Sequence, residues 1–175
     1  DQIAKAKAEI MNNIIPNGKM ILNADDNYFN FLKKIAKKKN LKVISFGINN
    51  NLSNIKLLKI KKNLSKIKLI VGINNAKKTF IINQDLEPYL INILASITVL
   101  SQFFDLKQIS QNIFLNFKIP NARGNLFKIN FNKKSILVTD ESYNSNPLSL
   151  NFAVQNFDNF QTSRKKILIL SDMLE

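Results

Sequence analysis

The chain contains few side chains that commonly do chemistry, and the most distinctive of them is an arginine. Only two of its 26 cationic residues are arginines, Arg123 and Arg164. Arg123 lies in residues 120–124, a stretch bounded by proline and glycine that is typical of a hinge. A planar guanidinium binds phosphate through two parallel hydrogen bonds, which an ammonium group does not do. Arg123 is therefore a candidate phosphate ligand, and the alternative is a solvated loop arginine.

The composition excludes several classes of site. The 175 residues include no His and no Cys, which excludes Ser-His-Asp and Cys-His triads, disulfides and thiolate metal sites. No apolar run reaches the ~18 residues of a membrane span, and the opening residues do not resemble a signal peptide. A hydrophobic content of 45% favours a folded core. We therefore expect a folded protein of the cytoplasm.

The positive charge has two interpretations. A formal net charge of +14 and a pI near 10.0 are typical of nucleic-acid-binding proteins. However, nearly all the cations are lysines, whereas arginine is the residue that most often reads base edges. The lysines lie in most of the predicted elements, and Asn and Ile are also abundant. We therefore favour compositional drift at tolerant surface positions, with a basic nucleic-acid-binding module as the alternative.

The first part of the chain alternates helical and strand patterns. The predicted order is helix, strand, helix, strand, over residues 3–14, 20–22, 28–38 and 41–46. Ile3, Ile10 and Ile14 would form the apolar stripe of the first helix. Asp25 or Asp26 would cap the second helix. A strand, a helix and a strand at this spacing predict a βαβ unit and hence a parallel sheet.

After residue 47 the pattern changes to short alternating runs, which are followed by helices and further strands. The predicted elements are strands over 67–71 and 79–82, helices over 88–104 and 106–116, strands over 126–131 and 135–139, a helix from Pro147, and a strand over 166–170. The first two strands predict a small antiparallel ribbon. Asp105 would cap the helix over 106–116. The last strand, helix and strand predict a second βαβ unit. We therefore expect an α/β fold with a mostly parallel sheet, followed by the start of a Rossmann-like domain.

Six short segments, in order along the chain, resemble motifs of the Mur ligase family. They are Ala4-Lys5-Ala6-Lys7-Ala8-Glu9-Ile10, Asn23-Ala24-Asp25-Asp26, Asn92-Ile93-Leu94-Ala95-Ser96, and residues 120–124, 140–147 and 171–175. The resemblance runs essentially from end to end. The Ser-Tyr-Asn-x-Asn-Pro run within residues 140–147 is the most discriminating. It resembles the ligases that add D-alanyl-D-alanine to UDP-N-acetylmuramoyl-tripeptide.

The resemblance implies roles for eight residues. Lys7 matches the family lysine that becomes carbamylated, which would turn a cation into an anionic oxygen ligand for magnesium. Asn92 matches the position that reads the adenine edge, and Arg123 matches the hinge arginine on phosphate. Glu141 stands where the family has Asp, next to the ribose and phosphates of ATP. The remaining candidates for ATP binding are Asp140, Tyr143, Asn144 and Asn146.

The resemblance also implies a reaction, which is ATP-dependent amide formation through an acyl phosphate. The implied cofactors are ATP and magnesium, and the implied substrates are UDP-N-acetylmuramoyl-tripeptide and D-alanyl-D-alanine. It implies no nucleic-acid partner and no membrane insertion. It further implies a protein that is monomeric at full length and cytoplasmic. A sister amino-acid ligase is a variant within the same class.

The Gly-x-x-Gly-Lys-Thr loop, with which the family holds phosphates, does not occur in this sequence. The chain has four glycines, and no two of them are near each other. The resemblance therefore implies that residues 1–119 are the distal part of a central ATP-binding domain. Residues 120–175 would begin a C-terminal domain, and the chain by itself would be inactive. An alternative is a non-catalytic relic of such a ligase. That alternative is suggested by departures from the family motifs at Pro88, Tyr89, Glu141 and Ser171.

Overall fold

The computed structural model describes residues 2–74, 76–143 and 146–171, except for the side chain of Leu148. They divide into two compact units, Asp1–Phe117 and Lys118–Glu175. In unit 1 the elements are α1 (Gln2–Ala8), a 3-10 helix (Glu9–Asn13), β1 (Lys19–Asn23), α2 (Phe29–Lys38), β2 (Lys42–Gly47), β3 (Ile55–Lys62), β4 (Lys66–Ile73), β5 (Ala76–Asn83), a 3-10 helix (Gln84–Tyr89) and α3 (Leu90–Leu100). In unit 2 they are β6 (Asn125–Phe131), β7 (Lys134–Asp140) and α4 (Pro147–Asn159).

Unit 1 is built on a five-stranded sheet with the order β1-β2-β3-β4-β5. The pairs β1–β2 and β2–β3 are parallel, and the pairs β3–β4 and β4–β5 are antiparallel. This arrangement confirms the predicted α/β fold with a parallel βαβ unit and an antiparallel ribbon. The ribbon includes β3, which the sequence patterns did not predict. β3 pairs with β2 at only two positions, Phe46 with Ile55 and Gly47 with Lys56.

The two faces of this sheet differ in polarity. Strand register and burial place Phe46, Ile55, Leu69, Val71 and Phe80 together on one face, where all are buried. Helix α3 packs against β1, β2 and β3. Its own apolar residues Ile93, Leu94 and Ile97 are buried as well. Removal of this apolar surface from water is the main stabilising contribution to unit 1.

Helix α2 covers the parallel part of the opposite face. A cluster around Ala36 and Leu41 packs with Met20 of β1 and Val43 of β2. The predicted helix over 28–38 is thus confirmed with a start at Phe29. The N-cap position is Tyr28, whose side chain makes no capping bond, so neither aspartate occupies the predicted cap position. Asp26 Oδ1 accepts from Tyr28 N–H at 2.7 Å in the turn just before the helix, whereas the Asp25 carboxylate accepts backbone hydrogen bonds from another loop.

The predicted apolar stripe of the N-terminal helix is wrong for two of its three residues, since Ile3 and Ile10 are 73% and 62% exposed. The third, Ile14, is half-buried and packs against the cluster around Ala36 and Leu41. The buried residues are instead Ala4, Ala8 and Met11, which recur at helical spacing of four and three. Helix α1 packs against α2 on this side, and the small alanine side chains allow the two backbones to approach closely. Residues 9–13 continue as a 3-10 helix rather than as further α-helical turns.

The predicted helix over 106–116 is not formed, and this segment consists of turns. Its backbone lies along the outer edge of β5, where Ile81 N–H donates to Gln111 O at 2.8 Å. The rings of Phe80 and Phe114 meet edge to face at 6.1 Å. An unpaired strand edge exposes backbone donors and acceptors. Residues 106–116 therefore bond backbone groups to the edge of β5, whereas in a helix they would have bonded these groups to one another.

Unit 2 begins with an antiparallel hairpin of β6 and β7, which confirms both predicted strands. Its turn residues Asn132 and Lys133 have φ values of 47° and 63°, which match the twist of a tight hairpin. Helix α4 begins at Pro147 as predicted. The predicted strand over 166–170 is not formed. A strand requires a paired neighbour, and the described residues supply none to this segment.

No helix in the described ranges combines the length and the apolar character needed to cross a lipid bilayer.

Candidate functional site

Two candidate residues of unit 2, Arg123 and Tyr143, meet at the end of the β6–β7 hairpin. The Arg123 guanidinium carbon lies 4.0 Å from the centre of the Tyr143 ring. Two backbone hydrogen bonds hold this arrangement, from Tyr143 N–H to Ala122 O at 3.0 Å and from Gly124 N–H to Asp140 O at 2.7 Å. A cation over an aromatic face is attracted by the electrons of the ring. The stack therefore orients the exposed Arg123 side chain.

The backbone around Arg123 is unusual. Ala122 and Gly124 have φ values of 61° and 82°, so both neighbours of Arg123 adopt the left-handed region. Glycine adopts it without strain, whereas a residue with a Cβ rarely does. The Ala122 backbone is held there by the Asn125 side chain, whose Oδ1 accepts from Ala122 N–H at 2.8 Å. Such strain often accompanies a functional conformation.

Two adjacent carboxylates flank this arginine hinge and have opposite pKa shifts. The Ser142 side chain and its backbone N–H, which donates to Asp140 Oδ1 at 3.0 Å, lower the pKa of Asp140. Partial burial raises the pKa of Glu141, and the negative charge of Asp140 raises it further. A carboxylate accepts hydrogen bonds from hydroxyl groups such as those of a sugar. The pair thus offers acceptors on the segment whose backbone is hydrogen-bonded to Gly124, the residue after Arg123.

These shifts predict opposite effects of pH on the stability of unit 2. Because the pKa of Asp140 is lowered, its contribution is present above its usual value of 3.8 and is lost as the pH falls below that value. Because the pKa of Glu141 is raised, its contribution is present below its usual value of 4.5 and is lost as the pH rises through the raised pKa. Both effects are small, since both groups are in contact with water.

The measurement is the melting temperature of the chain against pH for wild type, Asp140→Asn and Glu141→Gln. Asp140→Asn should flatten the loss on the acid side, and Glu141→Gln should flatten the loss above pH 4.5. Glu141→Gln should leave the loss on the acid side in place, whereas Asp140→Asn should also reduce part of the loss above pH 4.5, because the charge of Asp140 contributes to the raised pKa of Glu141. The same change of profile in both variants would contradict the assignment.

Asn146 begins helix α4 and makes local hydrogen bonds. Its side-chain oxygen accepts from Ser149 N–H at 2.9 Å, and its own N–H donates to Ser149 Oγ at 3.0 Å, which together form a capping box. The side chain of Asn146 therefore has a local structural role as the N-cap of α4, which is a position that asparagine favours. Asn144, another candidate for ATP binding, lies outside the described residues.

The two candidate residues of unit 1 are both exposed. Lys7 lies on α1 and is exposed, one helical turn after the buried Ala4 and directly before the buried Ala8. Asn92 lies in the first turn of α3, and its backbone oxygen accepts from Ser96 Oγ at 3.0 Å. The structure thus places both side chains at the surface, where ligands can reach them.

The described residues do not by themselves fit a magnesium site. No group of three or more His, Cys, Asp or Glu side chains among them is placed to hold a metal ion. A lysine amine is not a magnesium ligand, and a carbamate on Lys7 would add one oxygen donor where the ion prefers six. The magnesium role of Lys7 stays a prediction.

The sequence patterns missed one polar arrangement, at the carboxyl ends of the parallel strands β1 and β2. Asp25 follows β1, and its carboxylate accepts from Ile48 N–H at 2.5 Å and from Asn50 N–H at 2.8 Å. Asn49 N–H lies 3.2 Å from both carboxylate oxygens. A Cβ atom added at Gly47 would lie 2.9 Å from Asp25 Oδ1, so glycine is required for this close approach.

Asp25 therefore joins the ends of two strands at the edge where α/β sheets commonly bind ligands. The Asn-Ala-Asp-Asp segment was interpreted as a helix cap because capping depends only on nearby residues. The partners of Asp25 lie 23 to 25 residues further along the chain. The sequence does contain a signal for this arrangement. One predicted strand is followed by Asp, and the next is followed by Gly and several Asn.

Comparisons with known proteins agree with this fold. The Mur ligase middle domain model matches residues 1–100. Structures similar to the chain include MurF from Acinetobacter baumannii, with a TM-score of 0.71 and 19% identity over 91% of this chain and 33% of that protein. MurF ligase from Thermotoga maritima, solved with ADP, has a TM-score of 0.69 and 19% identity over 91% of this chain and 35% of that protein.

A more distant similarity, with a TM-score of 0.53 and 15% identity over 91% of this chain and 32% of that protein, is to a UDP-N-acetylmuramoyl-L-alanyl-D-glutamate–2,6-diaminopimelate ligase. A search of curated protein sequences found no match. The chain spans about a third of the length of the solved structures that it matches. Because the family match covers residues 1–100 of 175, the chain belongs to the Mur ligase family.

Proposed function

We propose that this chain is part of an ATP-dependent ligase that joins D-alanyl-D-alanine to UDP-N-acetylmuramoyl-tripeptide during peptidoglycan precursor synthesis in the cytoplasm. The observation that carries the proposal is the stack of Arg123 on Tyr143, which follows Asp140 and Glu141 in the chain. Tyr143 belongs to the Ser-Tyr-Asn-x-Asn-Pro run that most resembles ligases of this specificity, and Arg123 belongs to the hinge segment that resembles the family. The fold similarity to two MurF structures, one of them solved with ADP, supports the same proposal.

The reaction requires two anions to meet. The terminal carboxylate of the tripeptide attacks the terminal phosphorus of ATP, so that an acyl phosphate forms and ADP leaves. The amine of D-alanyl-D-alanine then attacks the acyl carbon, loses a proton and expels inorganic phosphate. Cationic groups that are held in place before the reaction lower the barrier of the first step, because they offset the repulsion between the carboxylate and the triphosphate.

The residues of unit 2 fit a nucleotide. The guanidinium of Arg123 would bind phosphate oxygens, since its plane is fixed by the Tyr143 ring 4.0 Å away. Asp140 and Glu141 would accept hydrogen bonds from ribose hydroxyl groups. Asn144 and Asn146 would belong to the same loop, although the Asn146 side chain is also used to cap α4.

The candidate residues of unit 1 would have other roles. Asn92 offers an amide that can both donate to and accept from an adenine edge. Lys7, as a carbamate, would present an anionic oxygen and orient a magnesium ion whose other ligands come from outside the described residues. We also propose that residues 1–119 correspond to the distal part of the central domain. Residues 120–175 would then correspond to the beginning of the C-terminal domain.

The experiment compares the chain alone with a longer protein that also contains the family's Gly-x-x-Gly-Lys-Thr loop. Phosphate release is measured with ATP, UDP-N-acetylmuramoyl-tripeptide and D-alanyl-D-alanine, and then with each omitted in turn. The longer protein should release phosphate only when all three are present, and the chain alone should release none. Turnover by the chain alone would contradict the domain proposal. Turnover of the longer protein with single amino acids, but not with D-alanyl-D-alanine, would contradict the proposed substrate.

A further inference from the structure

The positive charge of this protein is concentrated in one stretch of its sequence. Residues 27–84 contain 14 of the 26 cationic side chains and none of the 12 acidic ones, so this stretch carries the entire formal net charge of +14. All 14 are lysines. The stretch contains α2 and the strands from β2 to β5. The remainder of the chain is electrically balanced.

Strand register places six of these lysines on one face of the antiparallel ribbon, opposite the buried apolar face. We call this surface the basic face, and its residues are Lys56, Lys59, Lys61, Lys66, Lys68 and Lys77. Five of the six are exposed, and Lys56 is half-buried. At the usual strand spacing the basic face measures about 10 Å by 20 Å. Helix α2 and its own lysines lie on the same side of the sheet.

The basic face repels itself. Lys61 of β3 and Lys68 of β4 are directly opposite each other in the strand register, and like charges in such a pair destabilise a sheet. Strands β3, β4 and β5 contain no acidic residue. By contrast, Lys62 points to the other face and pairs with Glu87 at 2.5 Å. An anionic partner would relieve the repulsion on the basic face.

We propose that the basic face binds the surface of a membrane that contains anionic lipids. The negative headgroups of such a membrane complement the lysines of the basic face, and each lysine near such a surface strengthens binding about fivefold. Leu64 lies at the tip of the β3–β4 hairpin, between Lys62 and Lys66, and is fully exposed. A leucine beside a basic patch supplies the second, apolar contact that stable membrane-surface binding requires.

The chemistry of the basic face favours lipid over nucleic acid. It contains no arginine, and the only aromatic residue of the three strands, Phe80, is buried on the other face. Proteins that bind single-stranded nucleic acid combine basic grooves with aromatic side chains on which bases stack. This inference does not depend on the proposed ligase activity, since both the lysines and Leu64 lie in unit 1, away from the arginine hinge in sequence.

The experiment is sedimentation of the whole chain with vesicles of equimolar phosphatidylglycerol and phosphatidylcholine, with pure phosphatidylcholine vesicles as the neutral comparison. The chain should bind the anionic vesicles and not the neutral ones, and binding should weaken as salt is added. The triple variant Lys59→Glu, Lys61→Glu and Lys68→Glu should bind the anionic vesicles at least about 100-fold more weakly. Its circular dichroism spectrum should match that of wild type.

A matched control separates a specific surface from net charge. The variant Lys128→Glu, Lys133→Glu and Lys134→Glu changes three exposed lysines of unit 2 by the same total charge. Its affinity for the anionic vesicles should fall by less than about threefold, because these lysines lie outside the basic face. If the basic-face variant does not fold, the milder Lys→Gln replacements at the same three positions provide the comparison.

The variant Leu64→Asn distinguishes a lipid surface from a soluble polyanion, because it removes the apolar side chain without changing the charge. It should bind vesicles about tenfold more weakly, because the leucine that would enter the bilayer is lost, and should bind inorganic polyphosphate about as well as wild type does. Equal losses in the two triple variants, or no binding to anionic vesicles, would overturn the proposal. It would equally be overturned if an RNA homopolymer displaced the vesicles and bound Leu64→Asn and wild type alike.

Discussion

Replacement of Asp25 by alanine should lower the free energy of unfolding of unit 1 by about 3 kcal/mol. The carboxylate accepts three backbone N–H groups, from Ile48, Asn49 and Asn50. A hydrogen bond to a charged group contributes about 1.5–3 kcal/mol. Water can replace part of this contribution, since the three donors are half-buried or exposed. The expected loss is therefore about that of one to two full hydrogen bonds.

The neighbouring residue provides the control. Asp26 is exposed, and its carboxylate accepts one backbone hydrogen bond, from Tyr28 N–H at 2.7 Å. The variant Asp26→Ala should therefore cost only about 1 kcal/mol. Unfolding by urea, followed by circular dichroism, measures both losses. Amide hydrogen exchange adds a local readout, because the amides of residues 48–50 should exchange faster in Asp25→Ala. Equal losses, with no change in that exchange, would show that Asp25 acts only as a local turn residue.

The regular part of this fold was predictable because it depends on local pattern. The strands around Ile21 and Ile44 and the helix between them follow from apolar spacing, and the structure confirms them. The first helix shows where such reasoning stops. Isoleucine is more hydrophobic than alanine, yet Ile3 and Ile10 are exposed whereas Ala4 and Ala8 are buried. Close helix packing selects small residues, and its partner helix α2 is distant in sequence.

The segments that were predicted incorrectly are those whose conformation depends on another part of the chain. Residues 106–116 have a helical pattern, but their backbone covers the edge of β5. Residues 166–170 have a strand pattern, but a strand exists only when a neighbour pairs with it. The role of Asp25 was missed for the same reason, since its partners lie on a loop that only the parallel pairing of β1 and β2 brings near.

The candidate site of unit 2 shows what a resemblance adds to local reasoning. Sequence pattern predicts the two strands and the start of helix α4, and the family motifs group Arg123 with Tyr143. The structure supplies the reason that these two side chains meet. The register of the hairpin pairs Asn125 with Asp140, so the residues just outside that pair come together and stack. The ligands of this site remain a proposal.

Arg123→Lys should lower kcat/KM for ATP about 10- to 100-fold in the longer ligase that we propose. Lysine keeps the positive charge but loses the planar fork and the stack on Tyr143. A hydrogen bond to a charged group contributes about 1.5–3 kcal/mol, which corresponds to this range of rates. Steady-state phosphate release at varied ATP concentration measures the loss.

Arg164→Lys is the matched control, because Arg164 is the only other arginine of the chain. Its guanidinium donates to Ser135 O at 3.1 Å in an exposed loop, so the same substitution should change kcat/KM less than about twofold. Two variants of Tyr143 separate orientation from charge. Tyr143→Phe keeps an aromatic face for Arg123, so its kcat/KM should stay near that of wild type. Tyr143→Leu removes that face and should lower kcat/KM about two- to fivefold. Arg123→Lys and Arg164→Lys variants with the same kcat/KM would mean that Arg123 is a solvated loop residue, with no phosphate to bind.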